Sequence, residues 1–405
     1  MPRVALDSDG PVWCGQLDRL APTPLRVGTS PDGRPYRRAR LLVLDGRQPV
    51  SFVEVPVSDG AVDVDLALAR TGDTRSGAVV PADRTAAEVS VVVCTRNRPA
   101  ELKACLDGLL GLDPAPLEII VVDNAPSDDR TRLAVESVAA VAGHVRYVLE
   151  RRPGLSRARN AGVAAAAGRI VAFTDDDVRV DPHWIDGLLR GFARRSDVVC
   201  VTGLVATDRL DHVAEQYFDA RVSWSSSCTP RLFDLASAAA PLFPYAAGRF
   251  GTGANVAFLA AFLHEVGGFD ETLGAGSLTR GGEDLDAFVK VLRTERALAY
   301  EPAALVWHRH RDDFDALRGQ MFGYGTGLTG YLTKYLLQPS TAVDILRQVP
   351  YGLAHMSRQL GRPAVAARRS PPWRLRAAEI AGLLYGPIAY LRSRRVVRRQ
   401  QRRMA

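Results

Sequence analysis

The chain lacks any apolar run of ~20 residues, the length that a membrane-spanning helix requires. Its first residues also lack the apolar core of a secretory signal peptide. Both absences argue against a membrane-spanning or exported protein. We therefore expect a protein on the cytoplasmic side, either free or attached to the inner face of the membrane.

Cysteine and lysine are both scarce. The five cysteines stand far apart and form no CxxC pair, so neither a zinc site nor a disulfide framework is indicated. With only three lysines, the net charge of +7 comes almost entirely from arginine. Much of it lies beyond Arg358, where Glu379 is the single acidic residue. The charge therefore indicates an anionic surface as the partner of the C-terminal end, and no nucleic-acid partner is expected.

The 405 residues, of which 47% are hydrophobic, are enough for two or three folded units. Residues 1–85 predict a small β-rich module without a catalytic pattern. Short strands are predicted at residues 40–44, 50–57 and 61–66, the last because apolar and acidic residues alternate there. A glycine- and threonine-rich segment at residues 71–77 is the predicted linker to the next unit.

A different pattern begins after residue 85 and extends to residue 312. Four apolar runs, at residues 89–94, 117–122, 145–149 and 170–173, alternate with helical stretches. Continuous β-branched runs are typical of strands buried on both faces. The pattern predicts an α/β fold, with a mostly parallel, doubly wound sheet and helices on both of its faces.

Polar side chains follow three of these predicted strands. They are Thr95 and Arg96, then Asp123, and then Asp175, Asp176 and Asp177. Because the carboxyl ends of parallel strands meet at one edge of a sheet, we expect these groups to line a common ligand crevice. Adjacent carboxylates repel one another unless a cation relieves them, and hard divalent cations prefer such oxygen ligands. Taken alone, the three acids also fit a solvated acidic turn.

Six motifs extend the pattern. They are VSVVVCTRNRP at 89–99, IIVVDN at 119–124, GLSRARNAG at 154–162, DDD at 175–177, GTGAN at 251–255 and GEDLD at 282–286. In these motifs and their order the chain resembles glycosyltransferase family 2, whose members have the GT-A fold. The resemblance implies a UDP-, dTDP- or GDP-sugar donor, a Mg²⁺ or Mn²⁺ ion, and inverting transfer to a hydroxyl by single displacement.

The resemblance also implies a metal site. Asp177 is the expected direct ligand, and Asp175 is expected to reach the donor ribose or a metal-bound water. Asp176 between them either joins the donor site or points into solvent. His308 is the expected histidine of the metal shell, with His310 as the second candidate and a packing role as the alternative for either.

Further residues are implied for the donor. Asp123 is expected to accept a hydrogen bond from the nucleotide base, although capping of the following turn is an alternative. Thr95 and Arg96 are expected beneath the base and ribose, and Arg159 near the donor phosphate or base. The motif at residues 251–255 is called the glycine loop. In this loop, the backbone at Gly253 is expected to approach the diphosphate or sugar. Asn255 is expected either to contact the donor as well or to orient the loop.

Inverting transfer needs a general base for the acceptor hydroxyl. The resemblance places this role on Asp284, with Glu283 as the second candidate. Capping and dipole complementation at the start of a helix would also explain both acids. The acceptor is left open among saccharides, lipid-linked acceptors and small molecules.

Residues 313–405 predict a helical C-terminal region. A helix is expected at residues 314–338, closing over the site or bordering the acceptor channel. Residues 377–391 are largely apolar, and an arginine-rich tail follows them. This combination predicts attachment to an anionic membrane surface, and a solvated basic helix or a disordered end is the alternative.

Two other functions remain open from the residues alone. A nucleotidyltransferase also uses an α/β nucleotide site with acidic metal ligands, but a glycine-rich phosphate loop is expected after its first strand. TRNRP stands there instead. A non-catalytic nucleotide- or membrane-binding scaffold is the other alternative, and it is expected to have lost the metal and base acids, which are all present.

Overall fold

The computed structural model describes residues 10–72, 85–222, 227–237, 242–360 and 372–404. Most of the predicted linker lies outside these ranges. The N-terminal module contains strands β1 (Val12–Asp18), β2 (Arg38–Asp45), β3 (Gln48–Ser58) and β4 (Ala61–Val62), followed by helix α1 (Val64–Thr71). The strands form one sheet in the order β1-β2-β3-β4.

The predicted strand at residues 61–66 is wrong beyond Val62. Asp63 caps a helix there, because its carboxylate accepts a hydrogen bond from the backbone N–H of Leu66 at 2.9 Å. A capping aspartate followed by good helix formers outweighs a short apolar–polar alternation. Strand β1, which was not predicted, pairs in parallel with β2.

The N-terminal module packs directly on the rest of the molecule. Leu42 and Leu44 of β2 share a buried cluster with Leu204 and Trp307. Beside this cluster, Arg40 forms a buried ion pair with Asp219, whose carboxylate also accepts a hydrogen bond from Thr207. Because a buried charge is costly when unpaired, this contact ties the module firmly to the larger sheet.

We expect Arg40→Met to lower the free energy of unfolding by about 3–5 kcal/mol, because Asp219 would stay buried without its cation. Urea denaturation followed by circular dichroism measures this change. Arg47→Met is the matched control, since Arg47 also joins the module to the larger unit but pairs with Asp186 in a solvent-exposed position. Its loss should cost less than about 1 kcal/mol. Equal effects of the two variants would contradict a special role for the buried pair.

The larger unit is an α/β fold, as predicted. Its strands are β5 (Val89–Thr95), β6 (Glu118–Asn124), β7 (Val145–Glu150), β8 (Ile170–Asp175), β9 (Val178–Val180), β10 (Val198–Thr207), β11 (Arg231–Phe233), β12 (Asn255–Leu259) and β13 (Ala297–His308). The helices among them are α2 (Pro99–Leu110), α3 (Arg130–Ala139), α4 (Leu155–Ala165), α5 (Trp184–Ala193), α6 (Val213–Arg221), α7 (Ala260–Glu265) and α8 (Glu283–Arg293).

These nine strands form one sheet in the order β11-β13-β10-β12-β8-β5-β6-β7, with β9 paired to β13. The predicted parallel arrangement holds for β8, β5, β6 and β7. The other half is mixed, because β12 runs antiparallel to both of its neighbours and β9 and β11 run antiparallel to β13. The sequence pattern of alternating strands and helices ends after β8, so it could not predict this half.

The parallel strands are buried on both faces, which explains their β-branched composition. Val91 and Val93 of β5 face one apolar cluster with α2 and α5, and Val92 faces a second with α4 and α8. Helices therefore cover both faces, as predicted. The strands β5, β6 and β8 end together at one edge, where the polar residues of the motifs lie.

The described residues after β13 form the helices α9 (Phe314–Leu336), α10 (Pro339–Leu360) and α11 (Pro372–Met404). The predicted helix at 314–338 is close to α9. Its glycines allow close packing, since a Cβ at Gly325 would lie 2.3 Å from the carbonyl oxygen of Glu379 in α11, and one at Gly327 would lie 2.7 Å from the carbonyl carbon of Gly281. Helix α9 thus contacts both α11 and the turn that begins α8. Within the described ranges, no helix is both long and apolar enough to cross a membrane.

Candidate active site

The three consecutive acids lie where strand β8 ends. Asp175 is the last residue of β8 and pairs in register with Cys94 of β5, while Asp176 and Asp177 form the turn into β9. Strand β9 pairs antiparallel with the end of β13, so Val178 stands opposite His308. This register brings a histidine that is distant in sequence next to the acidic turn.

Asp175, Asp177 and His308 form a group that could hold a metal ion. One ligand atom from each residue lies within 4.8 Å of the others. His308 Nε2 is 3.5 Å from Asp177 Oδ1. Two carboxylate oxygens and one imidazole nitrogen are a donor set that divalent cations accept. The acids and the histidine that the sequence assigned to metal binding are thus brought together.

Asp176 does not point into solvent. It is buried, and it accepts hydrogen bonds from Thr95 Oγ1 at 2.7 Å and from Arg98 at 2.6 Å. Burial raises the pKa of Asp176 to about 6, despite these partners. Asp176 and Thr95 therefore hold the acidic turn against the end of β5.

Arg98 is a site residue that the sequence analysis missed. Both terminal nitrogens of its guanidinium lie 3.1 Å from Asp177 Oδ2, on the side away from His308. Although burial alone would raise the pKa of Asp177, His308 and Arg98 hold it well below its usual range. Arg98 belongs to the TRNRP motif, but the arginine of this motif that the sequence analysis predicts for the site is Arg96. Arg96 is exposed.

Asp123, at the end of β6, is fully buried. Its Oδ2 accepts a hydrogen bond from the hydroxyl of Tyr147 at 3.0 Å. Its Oδ1 accepts none from any of the described residues. Burial raises the pKa of this carboxyl group above its ordinary value. A buried oxygen without a partner costs free energy, so this oxygen is suited to a hydrogen-bond donor supplied by a ligand.

Arg159 connects the acids with the glycine loop and with helix α8. This buried side chain donates hydrogen bonds to Glu283 at 2.9 Å and to the carbonyl of Gly253 at 3.1 Å, and it lies 3.8 Å from Asp175. A Cβ at position 253 would approach the guanidinium to 2.5 Å, so a larger residue there would require Arg159 to shift. Arg159 thus positions three parts of the site at once.

The two acids that begin helix α8 have different surroundings. Glu283 is buried, and burial together with the charge of Asp284 raises its pKa to about 7 in spite of Arg159. Asp284 is half-buried, and its carboxylate accepts hydrogen bonds from the N–H of Gly253 at 3.0 Å and of Leu285 at 2.8 Å. Asp284 is therefore the more accessible of the two to a substrate.

Two predicted residues have their polar atoms engaged within the fold. Asn255 is buried, accepts a hydrogen bond from Trp184 Nε1 at 2.8 Å, and donates to the carbonyls of Leu204 and Ala304 at 3.0 and 2.7 Å. This arrangement supports the alternative that Asn255 orients the loop. The N–H of Gly253 is likewise engaged, by Asp284.

His310 is not part of the possible metal group, although its ring lies 6.0 Å from that of His308. It is buried beside Thr207, whose Oγ1 is 3.2 Å from His310 Nε2, and its ring packs edge-on against Phe218 at 4.8 Å. Asp219, the partner of Arg40, is 3.7 Å away. His310 thus belongs to the contact between the N-terminal module and the sheet, and it fits the packing role that was the alternative.

Comparison with known proteins finds similarity to glycosyltransferases. A pre-mycofactocin glycosyltransferase of Mycobacterium tuberculosis is 29% identical over 316 residues, which are 76% of this chain and 57% of that protein. The chain thus spans little more than half the length of that relative. A glucosyl-dolichyl phosphate glucuronosyltransferase of Haloferax volcanii is 26% identical over 59% of this chain and 75% of its own length.

Among solved structures, the mannosyltransferase PcManGT of Pyrobaculum calidifontis, in complex with GDP-Man and Mn²⁺, is similar with a TM-score of 0.49 and 20% identity. The match covers 74% of this chain and 86% of that one. Residues 90–238 match the family model "Glycosyl transferase family 2". That range contains the ends of β5, β6 and β8, where Thr95, Asp123 and the three acids lie. These matches support an assignment to glycosyltransferase family 2, with residues 90–238 as the part of the chain that matches the family.

Proposed function

We propose that the chain transfers a sugar from a nucleotide-diphosphate sugar to an acceptor hydroxyl, with inversion at the anomeric carbon by single displacement. The observation that carries this proposal is that Asp284, a half-buried carboxylate, is linked through Gly253 and Arg159 to Asp175, which forms a possible metal group with Asp177 and His308. Arg159 and Gly253 connect the two. The proposed leaving-group site and the proposed base are therefore held by the same buried arginine and glycine.

A Mg²⁺ or Mn²⁺ ion fits the first of these sites, with Asp175, Asp177 and His308 as its ligands. Such an ion supplies Lewis-acid neutralisation of the charge that develops on the leaving diphosphate. Arg98 orients Asp177 by holding one carboxylate oxygen, which leaves the other facing His308. Hydrogen bonds that fix a ligating carboxylate in this way strengthen metal binding.

The base of the donor is proposed to bind at Asp123. Its buried, unpaired Oδ1 accepts a hydrogen bond from a ring N–H, which uracil, thymine and guanine all offer. Tyr147 holds the carboxylate in place through the other oxygen. UDP-, dTDP- and GDP-sugars are therefore the donors to test.

Asp284 is proposed as the general base. Its carboxylate takes the proton of the acceptor hydroxyl while the hydroxyl oxygen attacks the anomeric carbon and the diphosphate leaves with the bonding electron pair. The N–H of Gly253 keeps the carboxylate oriented at 3.0 Å. Glu283, buried against Arg159, serves to hold that arginine in place.

Metal affinity is expected to fall as the pH falls. Burial lowers the pKa of His308, but the ion pair with Asp177 outweighs it, and the pKa lies above its ordinary value. A metal ligand must be neutral imidazole, so binding releases a proton. Below that pKa, we expect the Mn²⁺ affinity to fall by up to about tenfold per pH unit in calorimetric titrations. In the His308→Gln control, the Mn²⁺ affinity should be weaker, and it should no longer show this dependence on pH. A pH-independent wild-type affinity contradicts the ligand role.

The proposed activity is tested by following release of the nucleotide from UDP-, dTDP- and GDP-sugars with Mn²⁺ or Mg²⁺. Thermal shifts report donor binding separately, because a ligand of the native state stabilises it. Acceptors to include are saccharides, small-molecule alcohols and a glucosyl-dolichyl phosphate. Binding of a nucleotide sugar without turnover would favour a scaffold, and turnover of nucleoside triphosphates alone would favour a nucleotidyltransferase.

A further inference from the structure

Helix α11 (Pro372–Met404) has two faces of different character. Its inner face packs on α9 through close contacts, since a Cβ at Gly382 would lie 2.2 Å from the carbonyl oxygen of Phe322 and one at Gly386 would lie 2.0 Å from Thr329 Oγ1. Leu375, Ala389 and Val397 are buried on the same side. The helix is therefore held rigidly, and its outer face is presented in a defined orientation.

The outer face carries large apolar side chains in its first half. They are Trp373, Ile380, Leu384, Ile388 and Leu391. Leu384 is 74% exposed and Trp373 is 63% exposed. At ~100° per residue these five positions fall within a sector of ~80°, opposite the buried glycines. We call these five residues the apolar stripe. Packing of α11 on α9 does not explain the apolar stripe, because the stripe faces away from α9.

The same face continues as arginine in the second half of the helix. Arg395, Arg398, Arg399 and Arg402 are all exposed. By the same helical spacing they lie within ~60° of Leu384, so they extend the line of the stripe. No acidic residue follows Glu379, and Glu379 itself pairs with Arg221. The outer face is thus apolar along one half and strongly cationic along the other.

We propose that the outer face of α11 docks on an anionic lipid surface, with the apolar stripe in the acyl boundary and the four arginines on lipid phosphates. A helix with one apolar, cation-bordered face lies in the plane of the interface, and each arginine near an anionic surface adds to the attraction. Arginine forms paired hydrogen bonds with phosphate oxygens. This attachment goes beyond the proposed transfer reaction and does not depend on it.

Charge favours lipid over a second copy of the chain. Two outer faces packed in parallel would bring eight arginines together without any acidic partner on this part of the helix. An antiparallel pair would set arginines against the apolar stripe of the other copy. A lipid surface satisfies both halves of the face at once, since it offers apolar chains and phosphates along the same plane.

Vesicle co-sedimentation of the full chain tests this proposal. We expect binding to phosphatidylcholine vesicles that contain about 30% phosphatidylglycerol and little binding to phosphatidylcholine alone. The double variant Leu384→Asp/Ile388→Asp should bind at least about tenfold more weakly. Replacing Arg395, Arg398, Arg399 and Arg402 by Gln should reduce binding by at least about a hundredfold.

Leu133→Asp is the matched control, because Leu133 is 56% exposed on helix α3, and it should bind as the wild type does. All these positions are exposed, so melting temperatures should stay unchanged. Equal binding by the wild type and both α11 variants would overturn the proposal. So would a dimer in light scattering that the Leu384→Asp/Ile388→Asp variant abolishes, since that would assign the stripe to a second copy.

Discussion

Asp284→Asn is expected to lower the rate of sugar transfer by a factor of about 10² to 10⁴, the usual contribution of a general base. Asparagine keeps the shape of the side chain and an oxygen that can accept the hydrogen bond from Gly253, but it cannot take a proton. Because the group of Asp175, Asp177 and His308 stays intact, donor affinity should remain close to that of the wild type. Initial rates with saturating donor, together with calorimetric donor titrations, measure both quantities.

Two comparisons sharpen this experiment. Asp315→Asn is the matched control, because Asp315 also stands in the first turn of a helix, α9, but is exposed. It should leave the rate unchanged. Glu283→Gln removes the charged partner of the buried Arg159, so we expect it to lower the melting temperature and to weaken donor binding. If Asp284→Asn lost donor affinity and stability together, Asp284 would have a structural role instead.

Asp177→Asn is expected to reduce transfer by about a thousandfold or more, since metal stabilisation of a leaving diphosphate is worth several kcal/mol. Unlike Asp284→Asn, it should also weaken binding of both Mn²⁺ and the donor, because the expected metal ligand set loses a charge. Removing the metal from the wild type with a chelator should reproduce the same pattern. Mn²⁺ titration by electron paramagnetic resonance and donor titration by calorimetry measure the two affinities.

Asp186→Asn is the control for Asp177→Asn, since Asp186 is paired with Arg47 on the surface and is not part of the group of Asp175, Asp177 and His308. It should change neither affinity. An Asp177→Asn protein that binds Mn²⁺ as tightly as the wild type would exclude Asp177 as a ligand. The two aspartate variants together therefore separate proton transfer from leaving-group stabilisation.

Local patterns predicted much of the larger unit. The β-branched runs identified β5, β6 and β8, and the polar residues after them were correctly expected at one sheet edge, because parallel strands share that edge. The same reasoning failed at residues 61–66. There a period of two over six residues was too short to distinguish a strand from the first turn of a helix capped by Asp63.

The residue types at the strand ends, and the resemblance to the family that they carry, could be read from the sequence. Which of these residues meet depends on the fold. The antiparallel pairing of β9 with β13 selects His308 over His310, and the turn after β5 presents Arg98 to Asp177 while Arg96 stays exposed. Arg40 and Asp219 are 179 residues apart in the chain. Such partners are set by strand register and packing between distant segments, which no local periodicity encodes.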